Sequence, residues 1–68
     1  MNQETFNLSI RKFLKMVGIN SQREIEQAVA KALDSGKLKG DETLTARMML
    51  EIPELGLKVP FDGEIKLK

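Results

Sequence analysis

The chain has 68 residues, with 11 basic and 10 acidic side chains and a formal net charge of +1. It contains no His, Cys, Trp or Tyr, the types that supply most general bases, nucleophiles, soft metal ligands and recognition anchors. This composition excludes disulfide-stapled folds and the usual zinc sites, and it provides no bulk charge for nucleic acid. We expect one small cytoplasmic domain, residues 1–68, without a membrane span.

The first half of the sequence predicts two helices, over about residues 4–17 and 22–35. Each carries one apolar stripe at helical spacing. Gly18 is expected to cap the end of the first helix, and Ser21 to begin the second as the N-cap of a capping box. Ser35-Gly36 ends the pattern. The stripe residues are Phe6, Ile10, Phe13, Leu14 and Val17 in the first helix and Ile25, Ala28, Val29, Ala32 and Leu33 in the second.

The second half predicts an antiparallel meander of three strands. From Leu44 to Ile52, apolar and polar residues alternate, as in a strand with one buried face. Pro53–Gly56 then forms a four-residue hairpin loop in which Gly56 is free to take positive φ. This loop length pairs Ile52 with Leu57 and Leu50 with Val59. The predicted strands span about residues 44–52, 57–60 and 64–68.

A second turn is expected around Asp62-Gly63. A two-residue turn there would mix polar and apolar residues on one face. A three-residue loop, Phe61–Gly63, with Gly63 at positive φ, keeps the faces separate, and it predicts that Gly63→Val costs about 1 kcal/mol or more. Lys37–Lys39 is a candidate fourth strand beside Thr43–Thr45.

Together these elements predict an α+β fold, with two N-terminal helices packed on one face of a C-terminal antiparallel sheet of three or four strands.

The order helix, turn, helix and hairpin is also found in winged helix-turn-helix DNA-binding proteins. Acidic residues of the second helix, Glu24, Glu26 and Asp34, would repel phosphate. Ile25 also comes one residue late for the buried position of that motif. A helical hairpin that covers a sheet is therefore favoured, and DNA binding is the alternative.

A partner-binding site is predicted from residues left over once the core is assigned. Leu8 lies among three cations on one side of the first helix, and Met49 points away from the predicted helices. An uncovered sheet face with an open edge can pair with a second copy. The plain alternatives are a solvated helix face and a wet sheet face. The predicted partner-binding residues are Leu8, Arg11, Lys12, Lys15 and Met49, for a protein partner or a weak homodimer.

Several stretches carry a family resemblance: Thr5–Asn7, Ser9–Leu14, Ser21–Glu26, Gly36–Glu42 and Gly63–Ile65. With them the chain resembles, nearly end to end, a family of small uncharacterised bacterial (proteobacterial) proteins that form a domain of unknown function. The resemblance implies a bacterial stand-alone domain, and it brings no activity, cofactor or catalytic residue. We therefore expect a non-catalytic binding or protein-interaction module without a metal or cofactor.

Overall fold

The computed structural model describes all 68 residues, which divide into two compact units, Met1–Lys37 and Leu38–Lys68. The first unit is built on a single α-helix, α1, Gln3–Asp34. The second is an antiparallel hairpin of β1, Thr43–Ile52, and β2, Leu57–Lys66. The chain therefore contains both helix and sheet as expected, but the prediction of two helices and a three- or four-stranded meander is wrong.

The helix α1 continues through the residues where a break was predicted. Gly18 lies in the helix interior without positive φ, and Ser21 is a further helical residue and not an N-cap. The Asn20 side chain donates a hydrogen bond to the Met16 carbonyl oxygen at 2.9 Å, one turn back. A glycine costs a helix about 1 kcal/mol without ending it, and no proline interrupts the segment. The result is one helix of 32 residues, about 48 Å long.

Both ends of α1 are capped by local contacts. The Asn2 side chain accepts a hydrogen bond from the backbone N–H of Thr5 at 3.0 Å. At the other end Gly36 has a φ of 79°, and the N–H of Lys37 donates to the Ala32 carbonyl oxygen at 2.8 Å. Glycine reaches this left-handed conformation without a Cβ clash. The predicted stop of the helical pattern at Ser35-Gly36 is confirmed.

The first predicted hairpin loop is confirmed in both length and register. A short 3-10 turn at Pro53–Leu55 leads into Gly56, which has a φ of 63° and donates its N–H to the carbonyl oxygen of Pro53 at 3.1 Å. This turn places Ile52 opposite Leu57. The next apolar pair, Leu50 and Val59, follows as predicted.

The second predicted turn does not form, because β2 runs straight on to Lys66. Asp62 pairs with Arg47 of β1, and Gly63 pairs with Ala46 and has no positive φ. Lys37–Lys39 is not a strand. Ten residues of β1 are available as partners, so continuing the ladder satisfies more backbone groups than turning back would. The expected cost of Gly63→Val through a strained φ therefore has no basis.

The segment that leads into β1 is held by one carboxylate. Glu42 accepts hydrogen bonds from the backbone N–H of Lys39 at 2.8 Å and of Gly40 at 2.9 Å. These N–H groups favour the charged carboxylate and lower the pKa of Glu42 below its ordinary value, with the largest effect from the N–H of Lys39. The Glu42 carbonyl oxygen also accepts from the N–H of Leu67 at 3.0 Å, which extends the hairpin ladder by one bond.

The substitution Glu42→Gln is expected to lower the melting temperature at neutral pH, since a neutral amide oxygen is a weaker acceptor than a carboxylate. Because the pKa is lowered in the folded state, the carboxylate stabilises the fold above the unfolded pKa, and this contribution is lost as the pH falls through the folded pKa. Thermal unfolding from neutral to acidic pH checks this, with Glu54→Gln as the control. Parallel pH curves for wild type and Glu42→Gln would contradict it.

Candidate functional site

The hairpin has one face that is apolar along its whole length. Side chains alternate between the two faces of a strand, and the register brings the apolar residues of β1 and β2 together, with Met48 opposite Phe61. None of these side chains is buried. This apolar hairpin face consists of Leu44, Ala46, Met48, Leu50 and Ile52 from β1 and Leu57, Val59, Phe61 and Ile65 from β2.

The opposite, polar hairpin face carries cross-strand charge pairs. Nε of Arg47 donates to Oδ1 of Asp62 at 2.6 Å, and a second contact joins the same side chains at 3.3 Å. This bond favours the protonated guanidinium and raises the pKa of Arg47. Glu51 and Lys58 are register partners on the same face. Because exposed ion pairs add little stability, this face is suited to solvent.

The helix α1 also presents an unburied apolar stripe. In a continuous helix with about 100° per residue, the apolar residues of the second half are centred about 80° further around the axis than those of the first half. No residue of α1 is buried. This α1 apolar stripe consists of Phe6, Ile10, Phe13, Leu14, Val17, Ile25, Ala28, Val29, Ala32 and Leu33.

The predicted partner-binding residues lie in both units. Four of them recur at three- and four-residue spacing on one side of α1, away from the α1 apolar stripe. Leu8 and Arg11 border the same shallow depression, and Leu8 is 63% exposed. Met49 belongs to the other unit, on the polar hairpin face opposite Pro60. The four helix residues are Leu8, Arg11, Lys12 and Lys15.

Other kinds of site have little support in the described chain. No group of three or more His, Cys, Asp or Glu residues is placed to hold a metal ion. The helix α1 has no segment that is both long enough and apolar enough to cross a bilayer. The DNA-binding alternative assumed two helices joined by a turn, and α1 is continuous at that point. The motif that suggested a recognition helix is therefore absent.

Comparison with protein families gives a match over residues 1–68, to the Family of unknown function (DUF6494). The chain belongs to this family. The resemblance to a domain of unknown function is thereby confirmed, and membership of DUF6494 assigns no activity or ligand. Searches of curated proteins and of solved structures found no match.

In this DUF6494 chain the apolar hairpin face extends further than the sequence predicts. Phe61 is predicted in a loop, whereas it lies within β2 opposite Met48. Asp62 is predicted in the same turn, whereas it lies in β2 and binds Arg47. A signal was present, because every second residue from Leu57 to Ile65 is apolar or glycine. Strict alternation of this kind favours one long strand over two short ones.

Proposed function

We propose that this chain is a non-catalytic protein-interaction module of the cytoplasm, and that the apolar hairpin face binds an amphipathic helix of its protein partner. One observation carries the proposal: a hairpin of two ten-residue strands gathers its large apolar residues, Met49 apart, on one side. Met48 and Phe61 of this face are exposed and its other apolar residues are half-buried. A two-stranded hairpin alone is marginally stable in water, and continuous exposed apolar surface marks an interaction site.

The dimensions of the apolar hairpin face favour a helix as the covering element. Two strands lie about 4.8 Å apart and ten residues extend about 33 Å, so the face is long and narrow. One helix of about 10 Å diameter covers such a face along its length. A helix with apolar residues on one side would place them on this face and leave its polar side in water.

Further support comes from charge and composition. The oppositely charged residues Arg47 and Asp62, and Glu51 and Lys58, lie on the other face of the hairpin. Only the apolar hairpin face is therefore stabilised when a partner covers it and excludes water.

The cytoplasmic and non-catalytic parts of the proposal rest on a sequence without Cys and His. Such a chain needs no oxidising compartment for its fold, and it lacks the commonest general base and the strongest nucleophile of enzyme sites.

Adjacent methionines provide a matched test of the apolar hairpin face. Met48 is 45% exposed and Met49 is 43% exposed, and they point to opposite faces of β1. Met48→Lys would bury a charge in the complex, which is expected to weaken partner binding at least about tenfold. Met49→Lys places the same charge on the polar face and should leave that binding unchanged.

The measurement is affinity capture from the native cell extract with both variants and wild type, followed by quantitative mass spectrometry. Circular dichroism establishes that each variant keeps the wild-type fold. Partners held by wild type and Met49→Lys but lost by Met48→Lys would support the proposal. Equal capture by both variants would contradict it. Loss only with Met49→Lys would move the site to the polar hairpin face.

A further inference from the structure

We infer that two copies of this chain pair through the outer edge of β1, antiparallel and around a two-fold axis, to give one four-stranded sheet of order β2-β1-β1-β2. This surface is an edge of the hairpin and not its apolar face, so the inference goes beyond the proposed function and does not depend on it. Three features of the hairpin carry it: the direction of the backbone groups of β1, a proline on the edge of β2, and the side chains along each edge.

The backbone groups of β1 that point away from β2 are those of its odd-numbered residues. The N–H of Leu67 donates to the carbonyl oxygen of Glu42 at 3.0 Å, one step beyond the pair Thr43 and Lys66. In an antiparallel ladder, hydrogen-bonded pairs alternate with pairs whose N–H and C=O groups point outward. The outward groups of β1 form an unbroken row and have no hydrogen-bond partner within the chain. They belong to Thr43, Thr45, Arg47, Met49 and Glu51.

The outer edge of β2 does not offer such a row, because Pro60 interrupts it. Pro60 is the register partner of Met49, so by the same alternation its nitrogen points outward and the hairpin loses no bond through the missing N–H. Proline and charged side chains are the usual protection of a sheet edge. The other outward residues of β2 are all charged, namely Lys58, Asp62, Glu64 and Lys66. The edge of β2 is therefore protected against strand addition, and the edge of β1 is not.

The difference between the two edges selects a second copy and a closed pair. A head-to-tail arrangement would set β1 of one copy against the protected edge of β2 in the next, so an open filament is blocked. Pairing β1 with β1 uses the unprotected edge twice and leaves only protected edges outside. Residues opposite one another in a ladder share a face, and outward residues bond only with outward residues. Two identical strands therefore bring apolar residues beside apolar ones and polar residues beside polar ones.

The pairing also stabilises the hairpin and accounts for Met49. A sheet of two strands is marginal in water, whereas three or more strands with an apolar face can be stable. Met49 is 43% exposed and is the one large apolar residue on the polar hairpin face. It belongs to the outward row, so in the pair it packs beside β1 of the other copy. On the opposite side of the sheet the two apolar hairpin faces become one wider surface.

Proline variants of the two edges test the interface by sedimentation over micromolar to submillimolar concentration. We expect a wild-type dimer whose dissociation constant rises at least about tenfold in Met49→Pro, since this variant loses an outward N–H of β1 and places a ring at the interface. Glu64→Pro loses an outward N–H of β2 and should leave the dimer intact. Neither N–H makes a bond inside the hairpin, and circular dichroism compares the folds of the two variants.

Amide hydrogen exchange of the wild-type protein locates the interface without any variant. The N–H groups of Arg47 and Met49 should exchange at least about tenfold more slowly at submillimolar than at micromolar concentration, because hydrogen bonds to the second copy protect them. The N–H groups of Asp62 and Glu64 lie on the outer edge of β2 and should exchange equally fast at both concentrations.

A monomer at every concentration would overturn the inference and leave the edge of β1 to an extended segment of another protein. A dimer in which Arg47 and Met49 exchange as fast as in the monomer would also overturn it, because association would then use a different surface. Equal weakening by both proline variants would count against the β1 edge. Capture of other proteins by Met48→Lys and Met49→Lys is a separate measurement, and it would still decide the proposed function.

Discussion

Replacing Gly56 by Val is expected to destabilise the hairpin by about 1–2 kcal/mol. Gly56 has a φ of 63° at the end of the 3-10 turn that joins β1 to β2. The Cβ of a β-branched residue is sterically strained in this left-handed region, whereas glycine has no Cβ and adopts it without strain. Urea or thermal unfolding of the variant against wild type measures the difference. An unchanged midpoint would contradict the loop geometry.

The matched control is Gly63→Val, in the same hairpin. Gly63 lies within β2, without positive φ, and a Cβ added there meets no atom within 4 Å. Valine favours strands over glycine by up to about 1 kcal/mol, so this variant should be neutral or stabilising. A fall in the free energy of unfolding as large as that of Gly56→Val would instead support the turn predicted from the sequence around Asp62-Gly63.

Gly18→Ala is expected to stabilise α1 by about 1 kcal/mol, the difference in helix propensity between the two residues. Gly18 is helical without positive φ, and a Cβ there meets nothing within 4 Å. The measurement is the midpoint of thermal unfolding followed by the helical circular dichroism signal. A higher midpoint is the expected result. Destabilisation would mean that Gly18 occupies a turn between two helices.

Ser21→Ala is the companion variant for the same region. Loss of an N-cap costs about 1 kcal/mol, and that cost is expected only if a second helix begins at Ser21. In the helix interior alanine is a better helix former than serine, so the midpoint should stay level or rise. Reading both variants together separates one continuous helix from two, since a turn at Gly18 and a cap at Ser21 would make both of them destabilising.

Much of the local structure could be predicted from the sequence alone. The apolar spacing from Phe6 to Leu33 identified helix, the alternation from Leu44 to Ile52 identified β1, and Pro53–Gly56 identified the loop with its register. These patterns hold because periodicity decides which side chains share a face, and in a hairpin the loop length decides which residues pair.

Two connections, in contrast, were decided only by the tertiary structure. Gly18 and Ser21 suggested a break in α1, and Asp62-Gly63 suggested a turn in β2, yet both segments continue. Each local signal is worth only about 1 kcal/mol, whereas an interruption would give up several backbone hydrogen bonds along a helix or a ladder. Local composition therefore determined the kind of each element, and its length depended on how far the backbone pairing could extend.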